Sequence, residues 1–115
     1  MKPSPRASAL AILTAVDEGG RTLDHLMDRF HQQSRHDRRD AAFVTALVYG
    51  VLRWQRRLDW IVGEVSTTAL NKIDREVLII LRLGLYQMLF MDRVPNAAAV
   101  HTSVELAKTL GKKWL

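Results

Sequence analysis

The 115-residue chain carries 17 Lys and Arg against 12 Asp and Glu, a formal net charge of +5, with 48% hydrophobic and 25% charged residues and no cysteine. That length holds one folded domain, expected over residues 1–115, and leaves no room for a second, catalytic one; the composition is that of a globular domain rather than a disordered tail. Without thiols there are no disulfides, no thiolate catalysis and few routes to a structural zinc site, which fits a reducing cytoplasm.

The start, Met-Lys-Pro-Ser-Pro-Arg, has no apolar core of the kind a signal peptide needs, so no export is expected. Ser4 followed by Pro5 is a helix-start signal, because the hydroxyl can cap free backbone N–H groups and proline has none to satisfy. A helix from about Pro5 to Glu18 follows, with Leu10, Leu13 and Val16 on its apolar stripe. Gly19-Gly20 stops it by permitting left-handed backbone angles. Thr22 then caps a second helix, on which Leu23, Leu26, Met27 and Phe30 recur at helical steps.

From Asp37 to about Thr67 there is no proline, and Val44, Leu47, Val51, Trp54, Leu58, Ile61 and Val65 alternate in steps of three and four, which is a helix seam. So long a helix is uncommon in a small domain, and a kink or break is expected between Trp54 and Leu58. Gly50, at the edge of the seam, permits the close approach of another helix. Asn71 or Asp74 begins the next helix, about Ile73 to Met91, apolar around almost its whole circumference and therefore central in a bundle. Val77 to Met91 is the most apolar run, yet Arg82 interrupts it and it falls short of the roughly 20 residues that cross a bilayer. A last helix, Asn96 to Leu110, turns Val100, Val104 and Ala107 inward. The expected fold is an all-α bundle of about five to six helices.

Catalytic and cofactor motifs are missing. The single glycine pair makes neither a phosphate-cradling loop nor a dinucleotide fingerprint. No serine sits in a nucleophile elbow, and Ser103 and His101 are too close on one helix to act as nucleophile and base. His25, His31, His36 and His101 form no ligand pair, and no metal is expected.

The positive signal is the placement of arginines, which present planar forks to phosphate or carboxylate. Arg35, Arg38 and Arg39 share one spacing, and Arg53, Arg56 and Arg57 repeat it eighteen residues later, five helical turns or about 27 Å along a continuous helix. Both triplets then face one sector opposite the seam, at a spacing suited to a phosphate backbone. The same pattern also describes a solvated face paired with Asp37, Asp40 and Asp59. Asp37 and Asp40 interleave with the first triplet, so Arg53, Arg56 and Arg57 are the stronger candidates. Trp54 and Trp60 flank them, and an indole beside arginine can stack a base of single-stranded RNA; Trp54 falls on the seam and is expected in the core, Trp60 in the open. Arg82, inside an apolar helix, requires a buried partner. Tyr86 and Gln87 serve the core and its edge.

Four blocks in order, Phe43-Val-Thr-Ala-Leu-Val-Tyr-Gly-Val-Leu-Arg53, Leu58-Asp59-Trp60, Leu81-Arg-Leu-Gly-Leu-Tyr-Gln-Met88 and Ser103-Val-Glu-Leu-Ala-Lys108, resemble the NusB-like family over nearly the whole chain. The Tyr49-Gly50-Val51-Leu52-Arg53 block is more similar to the N-terminal domains of ribosomal RNA cytosine-5 methyltransferases than to the free-standing antitermination factors of the family. That resemblance implies an RNA-binding domain that positions small-subunit ribosomal RNA. Catalysis would belong to a separate C-terminal methyltransferase domain, which binds S-adenosylmethionine and carries the catalytic cysteines; none of that machinery occurs in this sequence. It further implies an RNA-facing set of Arg6, on the basic N-terminal helix, with the arginines around Arg38 and Arg53. The alternative is a transcription antitermination or protein-interaction module in which the same surface engages an acidic partner.

Two departures from the family pattern stand out. His101 replaces a frequent asparagine beside the helix start. The chain ends at Trp114-Leu115 where the family continues into another helix, from which weak self-association through uncovered apolar surface is expected. No membrane partner is expected.

Overall fold

In the computed structural model, the backbone is described for residues 3–91 and 95–109, and every regular element among them is helical. Five α-helices occur there: α1 (Pro5–Glu18), α2 (Leu23–Gln33), α3 (Arg38–Val65), α4 (Arg75–Phe90) and α5 (Asn96–Thr109), with a single 3-10 turn at Leu70–Lys72. This is the all-α architecture that the apolar periodicity predicts. The chain divides into two compact units, with the division between Tyr49 and Gly50.

In the first unit, α1 starts where the sequence places it. Ser4 Oγ accepts the Ala7 N–H, Pro5 opens the helix, and Gly19 ends it at φ 81° with Gly20 following at φ 88°. Two successive residues in that region are open to glycine at little steric cost. Thr22 Oγ1 accepts the His25 N–H to start α2, and α1 packs on α2. Ala9, Leu10, Ile12 and Leu13 of α1, Leu26 and Met27 of α2, and Val44, Leu47 and Val48 of α3 are buried. Each such leucine or valine contributes roughly 1.5–3 kcal/mol when fully removed from water.

Helix α3 runs 28 residues without interruption, so the expected break between Trp54 and Leu58 does not occur. Asp37 Oδ1 caps its start by accepting the Asp40 N–H. Its buried stripe also differs from the expected seam. Val44, Leu47, Val48, Val51, Leu58 and Val62 are buried, whereas Trp54 is 39% and Val65 76% exposed and Ile61 is half-buried. The expected seam repeated every seven residues, but a straight helix drifts about 20° per heptad, so by its last turns the inward position has moved from Ile61 to Val62.

In the second unit, Asp74 Oδ1 accepts from the N–H groups of Glu76 and Val77 and starts α4. Val77, Leu78, Ile79, Ile80 and Leu83 of α4 are buried together with Val51, Leu58 and Val62 of α3 and Ala99 and Leu106 of α5. Gly50 is required for packing: a Cβ there would meet the ring of Tyr86. Gly84 is crowded in the same way, with Ser103 Oγ 2.7 Å from where its Cβ would stand. On α5 the inward residues are Ala99, Ser103 and Leu106; Val100, expected inward, is 50% exposed and Val104 only half-buried. The Ala107 side chain and Leu110, also placed on this helix by the sequence, lie outside the described residues. Opposite Gly84 the inward residue is the small Ser103, where the two helices pass closely. No helix among the described residues is long and apolar enough to cross a membrane.

Candidate nucleic-acid interface

In the second unit the candidate arginines stand on α3. Arg53, Arg56 and Arg57 are all exposed, and none forms an ion pair with a carboxylate among the described residues. The nearest acidic neighbour in sequence, Asp59, points elsewhere. Its Oδ1 accepts from Arg82 Nε at 2.7 Å and its Oδ2 from Arg82 Nη2 at 2.9 Å, a bidentate pair whose guanidinium is 4% exposed. The buried partner that Arg82 needs is therefore the carboxylate that the sequence assigns to the surface arginines. With Asp59 engaged, the field of Arg53, Arg56 and Arg57 is left undiminished on that side.

Two indoles stand among these cations. The Arg53 guanidinium lies 5.9 Å from the Trp54 ring centroid and the Arg57 guanidinium 5.4 Å from that of Trp60. Trp60 is 57% exposed. Trp54 is not the core residue its place on the seam predicts: it stacks on Phe90 at 4.8 Å and 23°, and Phe90 stacks on Tyr86 at 5.3 Å and 20°. The sequence signal for this ladder, overlooked in reading Trp54 as core, is Tyr86 and Phe90 four positions apart on α4. Cationic forks for phosphate beside exposed aromatic faces for bases make the arrangement used to hold single-stranded nucleic acid.

The first-unit arginines differ among themselves. Arg38 and Arg39 lie in the first turn of α3 and are exposed; Arg35 is also exposed but belongs to the segment between α2 and α3. The eighteen-residue repeat is therefore a helical register for Arg38 and Arg39 only, a correction for Arg35. Of the interleaved carboxylates, Asp37 is engaged as the helix cap, accepting the Asp40 N–H. Arg6 is half-buried, its guanidinium 5.1 Å from the Phe43 ring centroid, and burial lowers its pKa below the ordinary arginine value. It combines a packing contact with whatever charge it presents.

The first unit also holds a feature the sequence reading did not find, a cavity of about 510 Å³ against α1, α2 and the segment after α2, whose rim includes Arg21, Arg29 and Arg35. Nothing in one-dimensional periodicity marks a concavity. The described residues contain no group of three or more His, Asp or Glu that could hold a metal ion.

S-adenosylmethionine is ill suited to these residues. Gly50 and Gly84 are consumed by helix packing, Gly63 lies within α3 and Gly19-Gly20 forms a helix stop, so the described residues offer no glycine-rich loop to a ligand. The cavity rim offers guanidinium groups to a cofactor whose sulfonium and ammonium are themselves cationic.

The model of the NusB family matches residues 3–115. Among curated proteins, the chain is 38% identical over 112 residues to a Synechocystis protein named "Probable ribosomal RNA small subunit methyltransferase B", covering 97% of this chain and 25% of that one. It is 34% identical over 111 residues to ribosomal RNA small subunit methyltransferase B of Pseudomonas putida, covering 96% of this chain and 25% of the relative. The Thermus thermophilus protein of the same name is 41% identical over 105 residues, 91% of this chain and 25% of the relative. The chain thus spans about a quarter of the length of the curated relatives it matches.

Proposed function

The chain belongs to the NusB family, and from that premise we propose that residues 1–115 act as one RNA-binding domain, which positions small-subunit ribosomal RNA for a methyltransferase domain that binds S-adenosylmethionine. Its partners are that RNA and the catalytic domain of the same protein, and it works in the cytoplasm. The chemistry of methyl transfer lies with the other domain; this one supplies affinity.

One observation supports the reading above the rest. Three exposed arginines of α3 stand without ion-pair partners among the described residues, two of them over indole rings, while the adjacent Asp59 is held by Arg82. On a face of arginines paired with carboxylates, Asp59 would be matched with this triplet, and it is bound to Arg82 instead. Here the cations are left available, and each phosphate they neutralise releases counterions, so affinity is dominated by charge and depends steeply on salt. Base identity contributes through stacking rather than edge recognition, which holds a strand without reading it closely.

The test is a salt titration of RNA binding by the chain and by its Arg53→Ala/Arg56→Ala/Arg57→Ala variant. The variant is expected to bind more weakly across sequences, with the slope of log K against log salt reduced by about 2 for a single strand contacted by all three. Equal affinity and equal slope would overturn the assignment. Retained folding with capture of an acidic protein in place of RNA would point instead to an interaction module.

A further inference from the structure

The cavity in the first unit has two chemically distinct parts. The buried part of its lining is apolar, Ile12 and Leu26, with half-buried Phe30 and Ala15 beside them. Its rim carries Arg21 from the turn after α1, Arg29 from α2, and Arg35 from the segment before α3. No carboxylate lines it. None of the three arginines forms an ion pair among the described residues, so the rim is an uncompensated cationic arc beside an apolar lining.

His36 on the same wall adds a hydrogen-bonding group. Its Nε2 is 2.9 Å from Ser8 Oγ, which anchors the ring, while Nδ1 is buried without a hydrogen-bond partner. Buried polar atoms are ordinarily paired, so the unpaired Nδ1 of this wall residue is a hydrogen-bonding capacity that the surrounding side chains leave unmet. The rings of Phe30 and His36, both lining the cavity, lie 6.0 Å apart and tilted 42° to one another.

A volume of about 510 Å³ lies within the ordinary range for small organic ligands. The ligand that matches apolar lining, cationic rim and one unsatisfied ring nitrogen is flat and largely apolar at one end and anionic at the other. We propose that this cavity takes a single unstacked nucleotide of an RNA strand, its base against Phe30 and beside His36 and its phosphate among Arg21, Arg29 and Arg35. This rests on the RNA-binding reading and adds a discrete base pocket to it, distinct from the open surface around Arg53 and Trp60.

The experiment is an NMR titration of the isotopically labelled chain, following the ring signals of Phe30 and His36. The probes are the four nucleoside 5′-monophosphates, the parent nucleosides, inorganic phosphate and a short single-stranded RNA. At least one monophosphate is expected to shift both rings saturably, at least tenfold more tightly than inorganic phosphate or the nucleoside. Arg29→Ala/Arg35→Ala, a change of two exposed side chains, is expected to weaken that binding at least tenfold with the fold unchanged. Ala15→Phe, which fills the cavity, is expected to abolish it.

Inorganic phosphate binding as tightly as the monophosphates, or no saturable shift at Phe30 and His36 with any probe, would overturn the pocket. RNA that shifts the Trp60 signals and leaves Phe30 and His36 untouched would remove the pocket while keeping the broader reading. Saturation by a monophosphate with no binding of oligonucleotide at any salt concentration would retain the pocket chemistry and remove the RNA function.

Discussion

Asp59 and Arg82, 23 positions apart, are joined through both carboxylate oxygens, at 2.7 and 2.9 Å. Helix α3 therefore uses one residue to hold a cation inside α4 while its neighbours Arg57 and Trp60 remain exposed.

Removing the charge from one side of that pair leaves the other stranded. Asp59→Asn is expected to destabilise the fold by about 3 kcal/mol, the lower end for a broken buried pair because the Asp59 side chain is 25% exposed. Urea denaturation followed by circular dichroism measures this as a lower midpoint at unchanged slope. The paired replacement Asp59→Leu/Arg82→Met, which strands neither charge, is expected to recover most of the loss.

Gly50→Ala places a methyl group against the Tyr86 ring, which is itself stacked on Phe90 and cannot swing away freely. A loss of roughly 1–3 kcal/mol is expected from the overpacking. The near-ultraviolet circular dichroism of the Tyr86, Phe90 and Trp54 stack should change with it, and an unaltered aromatic spectrum would show that Tyr86 is not the obstacle.

The two exposed indoles separate binding from stability. Trp60→Ala is expected to leave the unfolding midpoint in place and weaken single-stranded RNA binding by about 1–3 kcal/mol if one base stacks there. Trp54→Ala is expected to reduce stability as well, because its ring packs on Phe90. Parallel fluorescence-anisotropy and urea measurements distinguish the two; identical behaviour of both variants would contradict the assigned difference.

Lysine at positions 53, 56 and 57 keeps the charge and removes both the forked donors and the guanidinium contacts with indole. The triple substitution is expected to preserve the salt slope and lower affinity several-fold. An affinity equal to the parent would mean that point charge alone suffices.

Much of the fold was legible in the sequence because it is local. Ser4, Thr22 and Asp74 cap helices where their side chains reach N–H groups two or three residues on, and the glycine pair stops α1 by its own backbone angles. Arg82 was legible as a residue in need of a partner; that Asp59 is the partner was not, since the contact depends on how two helices pack. The same limit explains Trp54: periodicity places it on the inward stripe, but its facing neighbour, Phe90, is the last residue of α4 and partly exposed. The two arginine triplets were legible from spacing and their exposure could be expected, whereas Arg6 is implied by the family resemblance alone and is half-buried. The cavity could not, because its walls come from three segments whose curvature has no one-dimensional signature.

The close passage of Gly84 by Ser103 fixes how α5 can slide along α4. Ser103 Oγ donates to the Ala99 carbonyl at 2.9 Å, so even its hydroxyl is folded back onto its own helix and asks little room of its neighbour. Sliding α5 by one position would present Thr102 or Val104 at the constriction, and a β-branched side chain is bulkier there than serine. Two of the smallest residues in the unit thus act as a ratchet tooth, admitting a single axial setting of the helix.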